Sequence, residues 1–255
     1  MRRCKMRVVR FAKDDLVSYG IADGDTVRRI KGDVFNSYEI TTQRFALDEV
    51  RLLAPCMPSK IVAVGLNYAD HISEMTEEAR KDPVLFIKPS TAVIGHKDYI
   101  VCPSMSQRVD YEGELAVVIG RRCKDVEEED ANDYIFGFTC FNDVTARDLQ
   151  SIDGQWTRAK SFDTFAPMGP WIARGLDAHY LDLEVRVNGE VKQSSNTSFL
   201  LHNVEELVSF ISKVMTLLPG DVIATGTPSG ISPIKPGDVV EVEIEGIGVL
   251  ENYVR

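Results

Sequence analysis

The chain reads as a strand-rich α+β protein, a mostly antiparallel sandwich, roll or barrel, with a small N-terminal β-rich domain ahead of a larger one. Three observations predict this: apolar and polar residues alternate over short runs, Pro-Gly-Asp and Asn-Gly turns recur between those runs, and only one segment keeps a full helical period. The regular exchange of strand and helix that marks a doubly wound sheet is missing.

Composition narrows the class. A chain of 255 residues, 44% apolar and 27% charged, buries a sizeable core in one large domain, or in a large and a small one. Disorder is excluded as the main state. With 29 Lys and Arg against 39 Asp and Glu, a net charge of −10 gives no general attraction to nucleic-acid phosphates or anionic lipid. The apolar runs 61–66 and 115–119 are far shorter than the roughly 20 residues that span a bilayer. Beyond the basic start Arg2, Arg3 and Lys5, the charges of Arg7 and Arg10 interrupt any apolar stretch, so no signal peptide is read and a cytoplasmic protein is expected. Cys4, Cys56, Cys102, Cys123 and Cys140 show no zinc or redox spacing and are expected as reduced, buried, small apolar residues.

Strand-like runs at 6–11, 26–30 and 34–40 come first, separated by the turns Asp23-Gly24-Asp25 and Lys31-Gly32-Asp33. Pro55 and Pro58 then precede the buried-strand run 60–65, which sets the expected domains at 1–55 and 56–255. Leu181, Leu183, Val185 and Val187 alternate up to Asn188-Gly189, a hairpin turn, and Val240, Val242 and Ile244 alternate with Glu241, Glu243 and Glu245. For the helix, Asn203 caps, Glu206 comes three residues on, and Val204, Leu207, Val208, Ile211, Val214, Met215 and Leu218 share a face until Pro219-Gly220.

Several chemistries are absent from the sequence. There is no Gly-x-Gly-x-x-Gly after a strand, no phosphate loop and no His-x-His pair. In Gly226-Thr-Pro-Ser229-Gly230 the serine is one position out of register for a nucleophile elbow, which argues against a serine hydrolase.

Carboxylates carry more. Read as a strand, Asp110-Tyr-Glu112-Gly-Glu114 projects Glu112 and Glu114 from one face about 7 Å apart, beside an apolar run. The strand 136–141 runs into Asn142-Asp143 and delivers a third carboxylate. Three carboxylates without imidazole or thiolate suit a hard divalent cation, Mg²⁺, Mn²⁺ or Ca²⁺, better than zinc. The same spacing equally fits the solvated face of an edge strand, as Glu241, Glu243 and Glu245 illustrate, with Asp143 capping a helix near Thr145. His71 and Glu74, three apart on a helical turn, form either an acid/base dyad or an exposed ion pair. Lys160, among aromatic and small residues, is either a substrate-holding cation or a surface lysine with a buried stem.

Taken together the motifs resemble the fumarylacetoacetate hydrolase family across nearly all of residues 60–254. They occur in order: Asn67-Tyr-Ala-Asp-His71, Leu85-Phe-Ile-Lys88-Pro89, Asp110-Tyr-Glu112-Gly-Glu114, Asn142-Asp143-Val-Thr-Ala-Arg147-Asp-Leu-Gln150, Lys160-Ser-Phe-Asp163-Thr164 and Thr225-Gly-Thr227-Pro-Ser-Gly230. The resemblance implies a mixed β-sandwich roll and a homodimer. It makes Glu112, Glu114 and Asp143 metal ligands, with Mg²⁺ the expected ion and Mn²⁺ or Ca²⁺ as substitutes. It makes Lys160 a substrate-facing cation and places Arg147, Gln150, Thr164, Thr227 and Lys88 along the substrate site.

His71 and Glu74 resemble the dyad of the branch holding acylpyruvate hydrolases and oxaloacetate decarboxylases. The expected activity is metal-dependent hydrolysis of acylpyruvates, or decarboxylation of oxaloacetate, through a pyruvate enolate. Isomerisation or decarboxylation of 2-hydroxyhepta-2,4-diene-1,7-dioate, sugar-acid dehydration, and a non-catalytic scaffold that binds 2-oxo acids are the alternatives. The short N-terminal part departs from the larger domain of the fumarylacetoacetate enzyme itself.

Overall fold

The computed structural model describes residues 6–69 and 81–255. Among these residues the strands form three sheets. The largest has twelve strands and begins with an N-terminal antiparallel meander: Tyr38–Ala46, Thr26–Gly32, Leu16–Asp23 and Met6–Lys13. It continues through Ala166–Arg174, Ile135–Asn142, Gly113–Ile119, Val222–Ala224, Ile61–Gly65 and the edge strand Val84–Lys88. The join is a ladder in which Val8 pairs with Ile172, so the N-terminal strands extend the sheet of the larger region.

A five-stranded sheet, Glu190–Asn196, Asp182–Val187, Val239–Ile244, Gly248–Val254 and Tyr99–Ile100, packs against the middle of the large one. Leu115, Val117 and Cys140 share one core with Leu183, Val185, Val242 and Leu250. The far side of the large sheet is also covered: Ala116, Val118 and Phe136 pack with Ile21, Ile30 and Val34. Burial on both faces accounts for the unbroken apolar run 115–119 within the strand Gly113–Ile119, in which every residue is buried, and coverage of one face for the strict alternation of Val239–Ile244. The result is a mixed β-sandwich roll: the pairs Val222–Ala224 with Ile61–Gly65 and Gly248–Val254 with Tyr99–Ile100 are parallel, while antiparallel pairing predominates.

The structure departs from the sequence expectations in places. Leu16–Asp23, with its weak alternation, is a full strand that pairs on both sides. Val34 lies in a turn instead of a strand. The Asp33 carboxylate accepts the Phe35 N–H at 3.0 Å, and this Asx turn delays the next strand to Tyr38. The helix Val204–Val214 has the expected capping box, with Asn203 and Glu206 bonding each other's backbone. It stops before Met215 because Leu217 exchanges two 2.9 Å backbone hydrogen bonds with Cys123, which draws the chain into an extended path ahead of Pro219. At the hairpin, Asn188 and Gly189 take φ of 54° and 78°, the left-handed pair that a tight two-residue turn requires.

No helix among the described residues is long and apolar enough to cross a membrane. Cys56, Cys102, Cys123 and Cys140 are free thiols. Burial, reinforced by Asp221, pushes Cys56 up to about 12, the opposite of what a nucleophilic thiolate needs.

Candidate active site

The ladder between Gly113–Ile119 and Ile135–Asn142 sets Gly113 opposite Asn142, so Glu112 and Asp143 leave the sheet side by side. Asp143 donates its N–H to the Glu112 carbonyl at 2.8 Å, and Glu112 donates its N–H to Asn142 Oδ1 at 2.9 Å. Val109–Asp110 belongs to a separate three-stranded sheet with Thr145–Ala146 and Pro233–Ile234, so the chain turns between sheets at Tyr111 and Glu112. The single strand expected from Asp110 onward is thus broken. One oxygen each from Glu112, Glu114 and Asp143 lie within 4.8 Å of one another. All three are buried, at 4%, 2% and 1% exposure, which rules out the solvated edge-strand reading.

Their partners differ. Lys88 Nζ donates to Asp143 Oδ1 at 2.5 Å and to the Val144 carbonyl at 3.1 Å. Lys160 Nζ bridges Asp143 Oδ2 at 2.6 Å and Glu112 Oε2 at 2.8 Å. Arg147 spreads its fork over Asp110 through Nε at 2.9 Å, Glu112, and Gln150 Oε1 at 2.6 Å. Thr145 adds a hydroxyl to Glu112 at 3.1 Å. Glu114 makes no ion pair among the described residues and receives only the Gly226 N–H, at 2.8 Å.

The titration behaviour is a consequence of this wiring. Burial, then the neighbouring charges of Asp143 and Glu112, lift the Glu114 carboxyl well above the usual carboxylate range. Burial lowers the Lys88 ammonium despite Asp143. For Lys160 burial acts in the same direction, but Asp143 and Glu112 together outweigh it and raise the group. A buried carboxyl that pairs with no cation among the described residues and faces two more carboxylates is a position that a hard divalent ion would satisfy. The residues present therefore fit such an ion, with Glu112, Glu114 and Asp143 as donors.

Beside the cluster lies a cavity of about 140 Å³. Its polar lining includes the three carboxylates, Lys160, Arg147, Gln150, Ser151 and Thr227; Val64, Leu66, Phe86 and Trp156 supply the apolar part. Arg147, Gln150 and Ser151 come from the helix Arg147–Asp153, whose i, i+3, i+4 spacing puts them on one face. Thr227 lies beyond the strand Val222–Ala224 and is held by donation to the Gly113 carbonyl at 2.8 Å and acceptance from Gln193 at 2.9 Å. Gly226 has φ of +100°, and a Cβ there would lie 2.8 Å from Asn67 Cβ, so this loop needs glycine.

Not every expected site residue reaches the cavity. Lys88 is fully buried, hydrogen-bonded to Asp143, and absent from the lining. Thr164, at φ of 73°, accepts the Val101 N–H at 2.9 Å and is likewise absent from the lining. His71 and Glu74 lie outside the described residues. Sequence reasoning gave no role to Thr145, Phe86 or Trp156. Thr145 sits two residues from Asp143 and was open to detection, whereas the two aromatic residues meet only through the tertiary fold.

Known proteins resemble this chain in sequence and in fold. Residues 6–55 match the family described as Rv2993c-like, N-terminal. Oxaloacetate tautomerase Fahd2a, mitochondrial, of Rattus norvegicus is 43% identical over 218 residues, 81% of this chain and 70% of the relative. The crystal structure of 2-hydroxyhepta-2,4-diene-1,7-dioate isomerase from Mycobacterium marinum superposes with a TM-score of 0.92 at 47% identity, covering 98% of each chain. A maleylpyruvate hydrolase from Sphingobium sp. SYK-6, solved with manganese(II) and pyruvate, does so with a TM-score of 0.83 at 30% identity, covering 98% of each chain. Residues 60–255 match Fumarylacetoacetate (FAA) hydrolase C-terminal, and the chain belongs to the fumarylacetoacetate hydrolase family.

Proposed function

We propose that this protein is a Mg²⁺-dependent enzyme of short 2-oxo and 2,4-dioxo acids that works through a pyruvate-type enolate, with acylpyruvate hydrolysis or oxaloacetate decarboxylation as the net reaction. The observation that carries this reading is Glu114, a buried carboxyl without a cation among the described residues, at the edge of a cavity that also displays Lys160 and Arg147. The manganese(II) ion and pyruvate named for the Sphingobium neighbour support a divalent cation and a 2-oxo acid as the ligands.

When bound, the ion supplies Lewis acidity that polarises the 2-oxo carbonyl and favours the enolate. The chain's own residues do the rest. Lys160, hydrogen-bonded to Asp143 and Glu112 at the cavity wall, offers positive charge to the oxygen on which charge develops. Arg147, whose three nitrogens donate to Asp110, Glu112 and Gln150, offers the positive charge of the Nη1 side, held against Gln150, to the substrate carboxylate. In the hydrolytic reaction a general base, for which the family resemblance offers His71, takes a proton from water, which adds to the distal carbonyl carbon. The bond to the pyruvate unit then breaks and its electron pair becomes the enolate. Decarboxylation needs no water, since the same enolate forms by loss of CO₂.

A second reading is keto–enol interconversion of oxaloacetate, favoured by the name of the rat relative. It needs only proton transfer at the carbon next to the oxo group. One experiment separates the readings: purified protein with Mg²⁺ is given acetylpyruvate or oxaloacetate, the enol absorbance is followed, and products are analysed. Chelator-sensitive formation of acetate and pyruvate supports hydrolysis, and of CO₂ and pyruvate, decarboxylation. Faster enol decay with oxaloacetate conserved supports the tautomerase. No effect on either substrate contradicts all three.

A further inference from the structure

Phe86 and Trp156 border two cavities at once. One is the 140 Å³ site cavity; the other is a groove of about 760 Å³ along the edge strand Val84–Lys88, which also takes in Gly154, Gln155 and Ser161. The two rings meet edge to face with centroids 5.2 Å apart, and together form the wall common to both spaces. Gly65 makes this seat possible, since a Cβ at that position would come within 2.5 Å of the indole ring. Phe86 in turn lies 5.0 Å from Lys160 Nζ, which ties the wall to the carboxylate cluster.

The size of the inner space gives the wall its consequence. About 140 Å³ is well below the roughly 300–1,000 Å³ of pockets for drug-sized ligands. That is room for a short oxo acid, and a longer chain directed at this wall meets the Phe86–Trp156 pair before it reaches the groove beyond.

We propose that Trp156 is a specificity-determining residue: seated on Gly65 and against Phe86, it closes the site to 2-oxo acids with long chains and separates them from a groove able to take such chains. This rests on the 2-oxo-acid reading above. Truncating the indole joins the two spaces, and each methylene that then finds apolar contact adds affinity.

The test is calorimetric binding to the full-length protein in excess Mg²⁺, with oxalate, pyruvate, 2-oxohexanoate and 2-oxooctanoate as probes. Wild type is compared with Trp156→Ala and Trp156→Phe, the latter keeping an aromatic residue on Phe86 should the alanine variant fail to fold. The expected result is that wild type binds 2-oxooctanoate about tenfold or more weakly than pyruvate. In Trp156→Ala the ratio of 2-oxooctanoate to oxalate affinity rises about tenfold or more, with Trp156→Phe in between. A wild type that binds the eight-carbon acid as tightly as pyruvate overturns the proposal, as does an unchanged chain-length profile in the folded variants. Failure of wild type to bind either oxalate or pyruvate overturns the 2-oxo-acid reading and this proposal with it.

Discussion

Gly226 donates its backbone N–H to the Glu114 carboxylate at 2.8 Å, from a left-handed φ of +100° that only glycine adopts cheaply. The loop that makes this contact is pinned by Asn67, whose amide donates to the carbonyls of Thr225 at 2.7 Å and His202 at 3.0 Å. The Glu114 carboxyl is thus aimed by the backbone and, among the described residues, left without a side-chain cation.

Gly226→Ala should therefore destabilise the protein by about 1 kcal/mol or more, from the positive φ and the 2.8 Å approach to Asn67 Cβ. It should also weaken divalent-ion binding by turning the N–H away from Glu114. Denaturant titration and Mn²⁺ binding report the two effects, and wild-type values in both would remove this loop from the site.

Lys88→Met should act on stability more than on substrate. Asp143 would keep Lys160 but lose a fully buried partner, and breaking such a pair costs about 3–5 kcal/mol. In the surviving folded enzyme KM should change little, because Lys88 does not line the cavity. A large KM increase with an unchanged melting temperature would return Lys88 to the substrate site.

Arg147→Lys should lower kcat/KM by about 10²-fold, the scale of a misplaced binding group. One ammonium cannot serve Asp110, Glu112 and Gln150 together, as the guanidinium fork does. Steady-state kinetics on whichever substrate turns over checks this, and near-wild-type kinetics would mean that only charge matters at this position.

Asp221 governs part of the acid limb of stability. Burial pushes its carboxyl upward, but Lys60, Ser59 and the Leu218 N–H outweigh this and hold it below the ordinary aspartate value. A depressed folded pKa means stability that is full above the ordinary value of 3.8 and is lost as pH falls through the folded one. Asp221→Asn should cost about 1–3 kcal/mol at neutral pH, and the gap to wild type should shrink toward about pH 3. Denaturation midpoints at the two pH values test this; an equal gap at both would assign the loss to packing.

Much of this was legible in the sequence for reasons of local physics. The capping box at Asn203 and Glu206, the Asn188-Gly189 hairpin and the alternation of Val240, Val242 and Ile244 are short-range signals that the fold keeps. The carboxylate triad was legible in composition but not in geometry. Glu112 and Glu114 meet Asp143 through the ladder that sets Gly113 opposite Asn142, a long-range pairing with no signature in spacing. For the same reason Lys88 read as a substrate residue: its motif was visible, its burial beneath Asp143 was not. Trp156 was hidden because its meaning depends on Gly65, far earlier in the chain, leaving space for the ring.

The most direct test of the centre is Mn²⁺ titration of metal-stripped protein, monitored by electron paramagnetic resonance, for wild type and Glu114→Gln. If Glu112, Glu114 and Asp143 hold the ion, wild type binds one Mn²⁺ per chain and the isosteric glutamine variant, with its fold intact by circular dichroism, binds it at least about 10-fold more weakly. Equal affinity in the two proteins, or no stoichiometric binding in wild type, would contradict a metal at this triad.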